Sequence, residues 1–237
     1  MSKLKTSPSR MSDFFSCPAK FKYHQDFKIV GEMEPVPALE NGTAVHALLE
    51  GKIDGFTMNP EVDWYFKKIN NLRHEEGYEI IGTETFQTVD VGDHQLMRVI
   101  DAFAFIGDEP VLVDYKTASW KWDSFADRYP QAKGFQATAY LIPPDDPAPF
   151  EEWPTRIDFL IAPRWEMVDN RRLTGTPEVV SYYQNDEDLQ NLIDALDHIA
   201  STKVFVKNRG YNCRTCSMAG LCFDLPNMEG MYERKKK

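Results

Sequence analysis

Residues 111–117 constrain the fold more than any other stretch of the chain. They read Val-Leu-Val-Asp-Tyr-Lys-Thr, an apolar run that ends in a carboxylate and an amine two positions apart. Because side chains alternate along a strand, Asp114 and Lys116 would share one face, and Val113 and Tyr115 the other. Asp and Lys are seldom buried unless they are paired. The run therefore predicts a core strand that ends either at a functional site or at a simple salt bridge.

Two further predicted strands precede this run and would form an antiparallel meander with it. They occupy residues 78–91 and 96–106, and turn sequences that contain Asp and Gly separate the three strands. The second strand carries Asp101. Because opposite side chains on adjacent antiparallel strands lie about 5 Å apart, Asp101 and Asp114 are predicted to share one divalent cation.

Helical patterns lie on both sides of the predicted meander. They occupy residues 44–50, 61–76, 129–142 and 185–202, and further strands are predicted at 156–162 and 178–183. Residues 40–43 read Glu-Asn-Gly-Thr, which predicts a turn before the first of these helices. His46 lies on that helix, where a histidine is more often a structural group than a ligand. The chain therefore mixes helices and strands, as an α/β protein does.

Composition limits the partners that this chain can have. Its 237 residues suffice for one large domain, and the formal net charge is −10 at pH 7. This charge excludes binding of nucleic acid by bulk attraction, so DNA would need a local basic groove with aromatic side chains to stack on bases. The candidates are Lys121, Lys133, Arg164, Arg171, Arg172, Trp120 and Trp122. No apolar run is long enough to span a membrane or resembles a signal peptide, so a cytoplasmic protein is expected.

The four cysteines form a pattern that favours a metal or redox centre over disulfides. Cys213, Cys216 and Cys222 lie close together, whereas Cys17 lies near the opposite end of the sequence. Four thiolates suit either a 4Fe-4S cluster or a structural zinc ion. Either centre would join the first and last segments of the chain, within a cysteine region formed by residues 1–30 and 203–223.

The predicted carboxylate pair suits hydrolysis of a phosphodiester. Mg²⁺ and Mn²⁺ prefer hard oxygen ligands, usually one or two carboxylates with waters and a substrate phosphate. Lys116 would orient a water molecule or offset negative charge that develops on the phosphate. Alternatively, Asp114 and Lys116 merely pair with each other in a zinc-stabilised protein.

In their order along the chain, these residues resemble the RecB-like branch of the PD-(D/E)XK nuclease superfamily. The chain also opens with a similar Asp-Phe-Phe-x-Cys-Pro segment at residues 13–18, and the resemblance covers residues 9–223. The residues that carry it are Gly42-x3-His46, Asp101, Asp114-x-Lys116 and Gln136-x3-Tyr140. One departure is Arg98, which stands where the family often has glycine three residues before the acidic ligand.

The resemblance implies a role for each of these residues. His46, Asp101, Asp114 and the backbone carbonyl of Tyr115 would bind a Mg²⁺ or Mn²⁺ ion, and Lys116 would be the catalytic lysine. Two further catalytic-site residues, Gln136 and Tyr140, would lie along the DNA strand.

One cysteine before this pattern and three after it resemble the iron-sulfur nucleases of the same branch, whose relatives include the AddB subunit and the CRISPR-associated exonucleases. By that resemblance, Cys17, Cys213, Cys216 and Cys222 bind a 4Fe-4S cluster. The implied fold is a restriction-endonuclease-like α/β core, in which helices flank a mixed central sheet and the cluster staples the periphery. A single nuclease domain would span residues 1–237.

The resemblance also implies a function and an alternative. The implied protein is a metal-dependent exonuclease on single-stranded DNA or DNA ends, with protein partners in recombination, repair or CRISPR adaptation. The alternative is a non-cleaving DNA-binding or assembly module that keeps the same scaffold and cluster.

Overall fold

A computed structural model gives the fold of most of the chain. It describes residues 3–30, 37–53, 57–118, 135–163, 166–168, 171–173, 176–210, 213–214, 216–223 and 230–235. The side chains predicted to form the basic groove lie outside this part of the chain. For Arg171 and Arg172 only the backbone is described, and the residues that lie wholly outside are Lys121, Lys133, Arg164, Trp120 and Trp122.

The first half of the chain begins with short helices and continues into the long strands of the predicted meander. Its elements are β1 (Lys5–Thr6), α1 (Pro8–Ser16), α2 (Pro18–Asp26), β2 (Phe27–Ile29), α3 (Pro37–Leu49), α4 (Pro60–Glu75), β3 (Tyr78–Val91), β4 (His94–Ile106) and β5 (Glu109–Ala118). Proline stands at the start of α1 and α2, where its missing N–H costs nothing. Cys17 separates these two helices in an extended conformation.

The second half contains shorter strands between helices. Its elements are α5 (described for residues 135–141), β6 (Arg156–Pro163), β7 (Glu166–Val168), β8 (Arg171–Leu173), β9 (Glu178–Tyr183), α6 (Asp186–Ser201), α7 (Ala219–Phe223) and β10 (Tyr232–Arg234). Residues 129–134 of the predicted helix 129–142 lie outside the described residues. Within the described residues, no helix combines the length and apolarity that crossing a membrane requires.

A mixed six-stranded sheet forms the centre of the molecule. Its order is β1-β4-β5-β6-β9, and β3 pairs with β4. The antiparallel β3-β4-β5 meander confirms the sequence prediction, while β5 pairs with β6 in parallel. Two small sheets, β2 with β10 and β7 with β8, lie apart from it.

Helices cover both faces of this sheet and bury its apolar side chains. On one face, Val45 of α3 and Ile69 of α4 join a core cluster with Tyr115 of β5. On the other face, apolar residues of α1, α5 and α6 pack against β3, β4 and β6, in two clusters that include Leu196 and Leu141. The predicted α/β architecture with a mixed sheet between helices is therefore confirmed.

The predicted turn at residues 40–43 is wrong, because these residues lie inside α3. Turn propensity is overridden here by packing against β5. The backbone of Gly42 lies close to this strand, since a Cβ atom added to Gly42 would lie 3.6 Å from Oγ1 of Thr117. Thr43 bonds its own helix, since its hydroxyl donates to the carbonyl of Leu39 at 3.0 Å. The longer helix brings its C-terminal half to the end of β5.

Candidate active site

Strands β4 and β5 separate at the point where two aspartates would face each other. Their last paired residues are Ala102 and Val113, one position short of Asp101 and Asp114. At this point the Asp101 carboxylate accepts a hydrogen bond from the backbone N–H of Tyr115 at 2.9 Å. The Asp101 carboxylate thus replaces the next backbone hydrogen bond between β4 and β5, and the two strands are not paired beyond this point.

The buried face of β4 also changes at Asp101. Ile100 packs into the cluster on the α5 side, whereas Ala102 packs into the cluster on the α3 side. Regular alternation would place both side chains on one face. On the neighbouring strand β3, Glu84 has a φ of +37°, which residues other than glycine rarely adopt. The irregularity directs Asp101 away from the regular ladder and toward α3.

His46 of α3 reaches this opening and contacts both strands. Its Nε2 atom lies 2.9 Å from the carbonyl oxygen of Tyr115, and its Nδ1 atom lies 3.5 Å from Oδ2 of Asp101. Burial disfavours the charged form of His46, but the hydrogen bond and charge of Asp101 outweigh it and raise the pKa of His46. Burial likewise acts to raise the pKa of Asp101, but His46 and Lys116 outweigh it and lower that pKa.

Glu50 also belongs to this group, although the sequence analysis did not select it. It follows the last residue of α3, one helical turn after His46, and its side chain is only 4% exposed. Potential ligand atoms of His46, Glu50 and Asp101 all lie within 4.8 Å of one another. The i, i+4 spacing from His46 was the sequence signal that could have identified it.

Asp114 and Lys116 share one face of β5 and form an ion pair. The second carboxylate oxygen of Asp114 accepts a hydrogen bond from Nε2 of Gln136 at 2.9 Å. Burial raises the pKa of Asp114 to about 6, against the opposing charge of Lys116. Burial disfavours the charged form of Lys116, but the charges of Asp114 and Asp101 raise its pKa. The buried acid and base therefore stabilise each other's charged form.

Gln136 and Tyr140 lie one turn apart on α5 and both face this pair. The side-chain amide of Gln136 donates to the Tyr140 hydroxyl at 2.9 Å as well as to Asp114. Tyr140 is buried, and burial together with the charge of Asp114 raises the pKa of its hydroxyl, which stays protonated at neutral pH. Helix α5 thus supplies two neutral polar groups beside a buried carboxylate.

The structure arranges the predicted residues as two adjacent groups. His46, Asp101 and the Tyr115 carbonyl meet on the α3 side of β5, and Asp114 faces α5. Among the described residues, the ligand atoms within 4.8 Å of one another belong to His46, Glu50 and Asp101, so Asp114 is not in that group. The two groups nevertheless interact, because the Asp101 charge contributes to the raised pKa of Asp114.

A cleft of about 780 Å³ opens onto the first of these groups. It is bounded by α3, by the start of α4, by the middle of β3 and β4 and by the end of β5. Among the residues that the structure describes, four carboxylates line it, from Glu50, Glu61, Glu84 and Asp101, beside one lysine, Lys52. A cleft of this composition attracts cations.

The donor atoms at the β4–β5 junction fit a hard divalent cation. They comprise two carboxylates, an imidazole and a main-chain carbonyl, a set that suits Mn²⁺ and Mg²⁺ better than soft metals. Burying two carboxylates side by side is unfavourable unless a positive charge compensates them. Because the carboxylates of Glu50 and Asp101 lie close together, binding of a cation between them would be favourable.

The four cysteines line one small cavity of about 20 Å³, at the meeting point of the first and last segments of the chain. Cys17 lies between α1 and α2, and the other three belong to the region around α7. Backbone contacts hold the segments together, since the N–H of Ala19 donates to the carbonyl of Val206 at 3.1 Å. Within the described residues, no three cysteine sulfurs lie within 4.8 Å of one another.

A family model of the PD-(D/E)XK nuclease superfamily matches residues 5–63 of the chain. The matched region contains His46 and Glu50 and ends before the strands that carry Asp101 and Asp114. No curated protein matches the chain.

Two solved structures are similar to most of the chain. The crystal structure of SSO0001 has a TM-score of 0.44 and 12% sequence identity, and the similarity covers 94% of this chain and 87% of that chain. The crystal structure of a "Putative exonuclease" from Eubacterium rectale has a TM-score of 0.44 and 14% identity, over 91% of this chain and 93% of that chain.

Proposed function

We propose that this protein is a metal-dependent deoxyribonuclease of the PD-(D/E)XK type. The observation that carries the proposal is the junction of β4 and β5, where His46, Asp101 and a main-chain carbonyl meet beside the Asp114–Lys116 pair. The superfamily match over residues 5–63 supports it. The sequence resemblance adds exonucleolytic cleavage of single-stranded DNA or DNA ends, in a single domain.

Mg²⁺ or Mn²⁺ is the proposed cofactor. The residues that would hold it are His46, Glu50, Asp101 and, through its carbonyl, Tyr115. The sequence resemblance adds Asp114, which lies outside that group in the structure. When bound, such an ion polarises a phosphate group and lowers the pKa of a water molecule toward neutrality. A phosphodiester that reaches the junction would therefore meet a positive centre in an otherwise acidic cleft.

Lys116 supplies a positive charge that is held beside Asp114. Its raised pKa keeps the ammonium group protonated at neutral pH, and Asp114 holds it in place. A charge that is already oriented needs little reorganisation when negative charge develops on a phosphate oxygen, which lowers the barrier for hydrolysis. Asp114 would thus orient the catalytic lysine, while Gln136 and Tyr140 offer hydrogen bonds to the DNA strand.

A 4Fe-4S cluster is the proposed occupant of the cysteine cavity. All four cysteines line this cavity, and four thiolates are the usual ligands of such a cluster. A structural zinc ion with four thiolate ligands is the competing centre. Anaerobic purification followed by iron, sulfide and zinc analysis decides between them. Stoichiometric zinc without iron would exclude the cluster.

Cleavage of end-labelled single-stranded DNA tests the proposed activity. We expect Mg²⁺- or Mn²⁺-dependent cleavage that EDTA stops and that the variants Asp114→Asn and Lys116→Met both lack. Lys67→Met, which removes an exposed lysine of α4, is the matched control and should cleave normally. If folded Asp114→Asn or Lys116→Met cleaves at the wild-type rate, the catalytic assignment is wrong.

The same assay addresses the non-cleaving alternative. A DNA-binding or assembly module would retain labelled DNA in a filter-binding measurement and would release no labelled fragments with either metal. Cytoplasmic location, and partners in recombination, repair or CRISPR adaptation, stay predictions of the sequence resemblance.

A further inference from the structure

Arg98 of β4 is a buried cation that contacts the main chain of α5. The residue is only 2% exposed. Its Nη1 atom lies 2.5 Å from the carbonyl oxygen of Ala139, 2.8 Å from that of Tyr140 and 2.6 Å from that of Ile142. These carbonyls lie at the C-terminal end of α5, where a helix has unsatisfied C=O groups and a partial negative charge.

The other nitrogen atoms of the Arg98 guanidinium group also have hydrogen-bond partners. Nε and Nη2 donate to Oε1 of Gln87 at 3.0 and 2.8 Å, and the ring of Trp153 lies 4.8 Å from Cζ. Trp153 donates in turn to the Tyr140 carbonyl at 3.0 Å. Across the part of the chain that the structure describes, no carboxylate forms an ion pair with Arg98. The helix end is therefore its main counter-charge.

Arg98 remains charged in this setting. Burial lowers its pKa to about 10, which still leaves the side chain protonated at neutral pH. A buried cation contributes favourable electrostatic energy at a helix C-terminus only while the helix end stays in place. The position of α5 and the burial of Arg98 therefore depend on each other.

The helix that Arg98 holds is the one that faces Asp114. Gln136 lies one turn before Tyr140, and its amide bridges the Tyr140 hydroxyl and the Asp114 carboxylate at 2.9 Å each. N–H···O hydrogen bonds have donor–acceptor distances of about 2.7–3.2 Å. A small displacement of α5 would break this bridge.

We propose that Arg98 is a positioning residue that fixes α5 so that Gln136 hydrogen-bonds Asp114. Arg98 lies on the same strand as Asp101, and it therefore couples the helix beside one aspartate to the strand that carries the other. The effect of Arg98 on the reaction rests on the proposed nuclease function. The geometric part of the proposal, that Arg98 positions Gln136 against Asp114, does not depend on that function.

Arginine is the side chain that this arrangement requires. Its planar group presents five N–H donors in a fixed fork, which serve the helix end and Gln87 at the same time. A lysine has one compact ammonium group and cannot serve both partners. Glycine at this position would leave the carbonyls at the end of α5 without their donor.

Two variants and a control test the proposal. Arg98→Met removes the donors while keeping side-chain volume, and Arg98→Lys keeps the charge. The control is Tyr78→Phe, which removes a buried hydrogen bond of 2.6 Å to Asp158 without touching α5. The first readout is the side-chain amide signal of Gln136 in a ¹⁵N-correlated NMR spectrum, and the second is kcat on single-stranded DNA.

We expect Arg98→Met to move the Gln136 amide signal and to lower kcat by about tenfold or more with little change in KM. Arg98→Lys should lie between wild type and Arg98→Met, and Tyr78→Phe should leave both readouts unchanged. In a Gln136→Ala background, Arg98→Met should cost much less in kcat, because the residue acts through that helix.

An unmoved Gln136 signal in Arg98→Met would overturn the geometric part of the proposal. A moved signal with unchanged kcat, or an equal loss of kcat with and without Gln136, would overturn the role of Arg98 in the reaction. If the wild-type protein cleaves no DNA with either metal, the proposed function fails. The NMR comparison then still decides whether Arg98 positions Gln136.

Discussion

The Nε2 atom of His46 lies 2.9 Å from the carbonyl oxygen of Tyr115, although 69 positions separate the two residues in sequence. The carbonyl belongs to β5 at the point where its pairing with β4 ends. A backbone carbonyl that leaves a sheet ladder must find another partner. The open end of the sheet therefore supplies a main-chain oxygen to the site, whichever side chain stands at this position.

Glu50 should contribute to metal binding. We expect Glu50→Gln to weaken Mn²⁺ binding, measured by isothermal titration calorimetry, by roughly tenfold or more because it removes one charged oxygen donor from the group. Glu61→Gln is the control, since Glu61 lines the same cleft but is hydrogen-bonded to Asn41 and lies outside the group. Equal affinity in Glu50→Gln and wild type would exclude Glu50 as a ligand.

Lys52 should oppose metal binding. Its ammonium contacts Oε2 of Glu50 at 3.1 Å and also contacts Glu84. A metal ion and this ammonium repel each other and compete for Glu50, so Lys52→Met should tighten Mn²⁺ binding severalfold at low salt and less at high salt. Lys67→Met serves as the control for the loss of one positive charge. Weaker binding in Lys52→Met would contradict the competition.

His24 should make the stability of the fold sensitive to acid. Burial lowers the pKa of His24 from 6.5 to about 4, and the charges of Arg10 and Lys20 act in the same direction, while Asp13 opposes them. Between these two values the unfolded chain binds more protons than the folded chain, so the free energy of unfolding decreases as the pH falls from 6.5 toward 4.

Urea denaturation at pH 7 and pH 5 measures this effect. His24→Gln should reduce the difference between the two pH values, because glutamine does not titrate. His74→Gln, at an exposed position near the end of α4, should keep the full difference. If both variants respond to pH as the wild type does, His24 is not the source of the acid sensitivity.

Cys17 should stabilise the fold through the proposed cluster. Cys17→Ser removes one thiolate, and the first and last segments of the chain would lose their link across the cysteine cavity. We expect a lower free energy of unfolding, faster proteolysis near α7 and unchanged Mn²⁺ binding. Wild-type protein from which the iron has been removed should show the same loss of stability as Cys17→Ser. A variant that keeps both its iron content and its stability would refute this role.

Alternation along single strands was the most reliable guide in the sequence. It placed Asp114 and Lys116 on one face of β5, as their ion pair shows, and it located the β3-β4-β5 meander. It does not describe the change of buried face at Asp101, which lies opposite Glu84, a residue of β3 with a positive φ. Periodicity within one strand cannot predict where two neighbouring strands depart from regular pairing.

Two other features depended on tertiary contacts and could not be read from local sequence. Residues 40–43 have turn propensity, yet packing of Gly42 close to Thr117 allows α3 to continue through them. Arg98 stood out only as a departure from the glycine of similar proteins. Its partners at the end of α5 lie more than forty positions away in the chain, beyond the reach of any periodicity.

The cysteine cavity sets an order of events during synthesis of the protein. Cys17 emerges from the ribosome early, whereas Cys213, Cys216 and Cys222 emerge almost two hundred residues later. The pairing of β2 with β10 waits equally long, since β10 follows all four cysteines. The sheet and its polar junction can therefore form while the cavity is still incomplete. Insertion of the proposed cofactor at the cysteines would then act as a late check, passed only by chains that have been translated beyond Cys222.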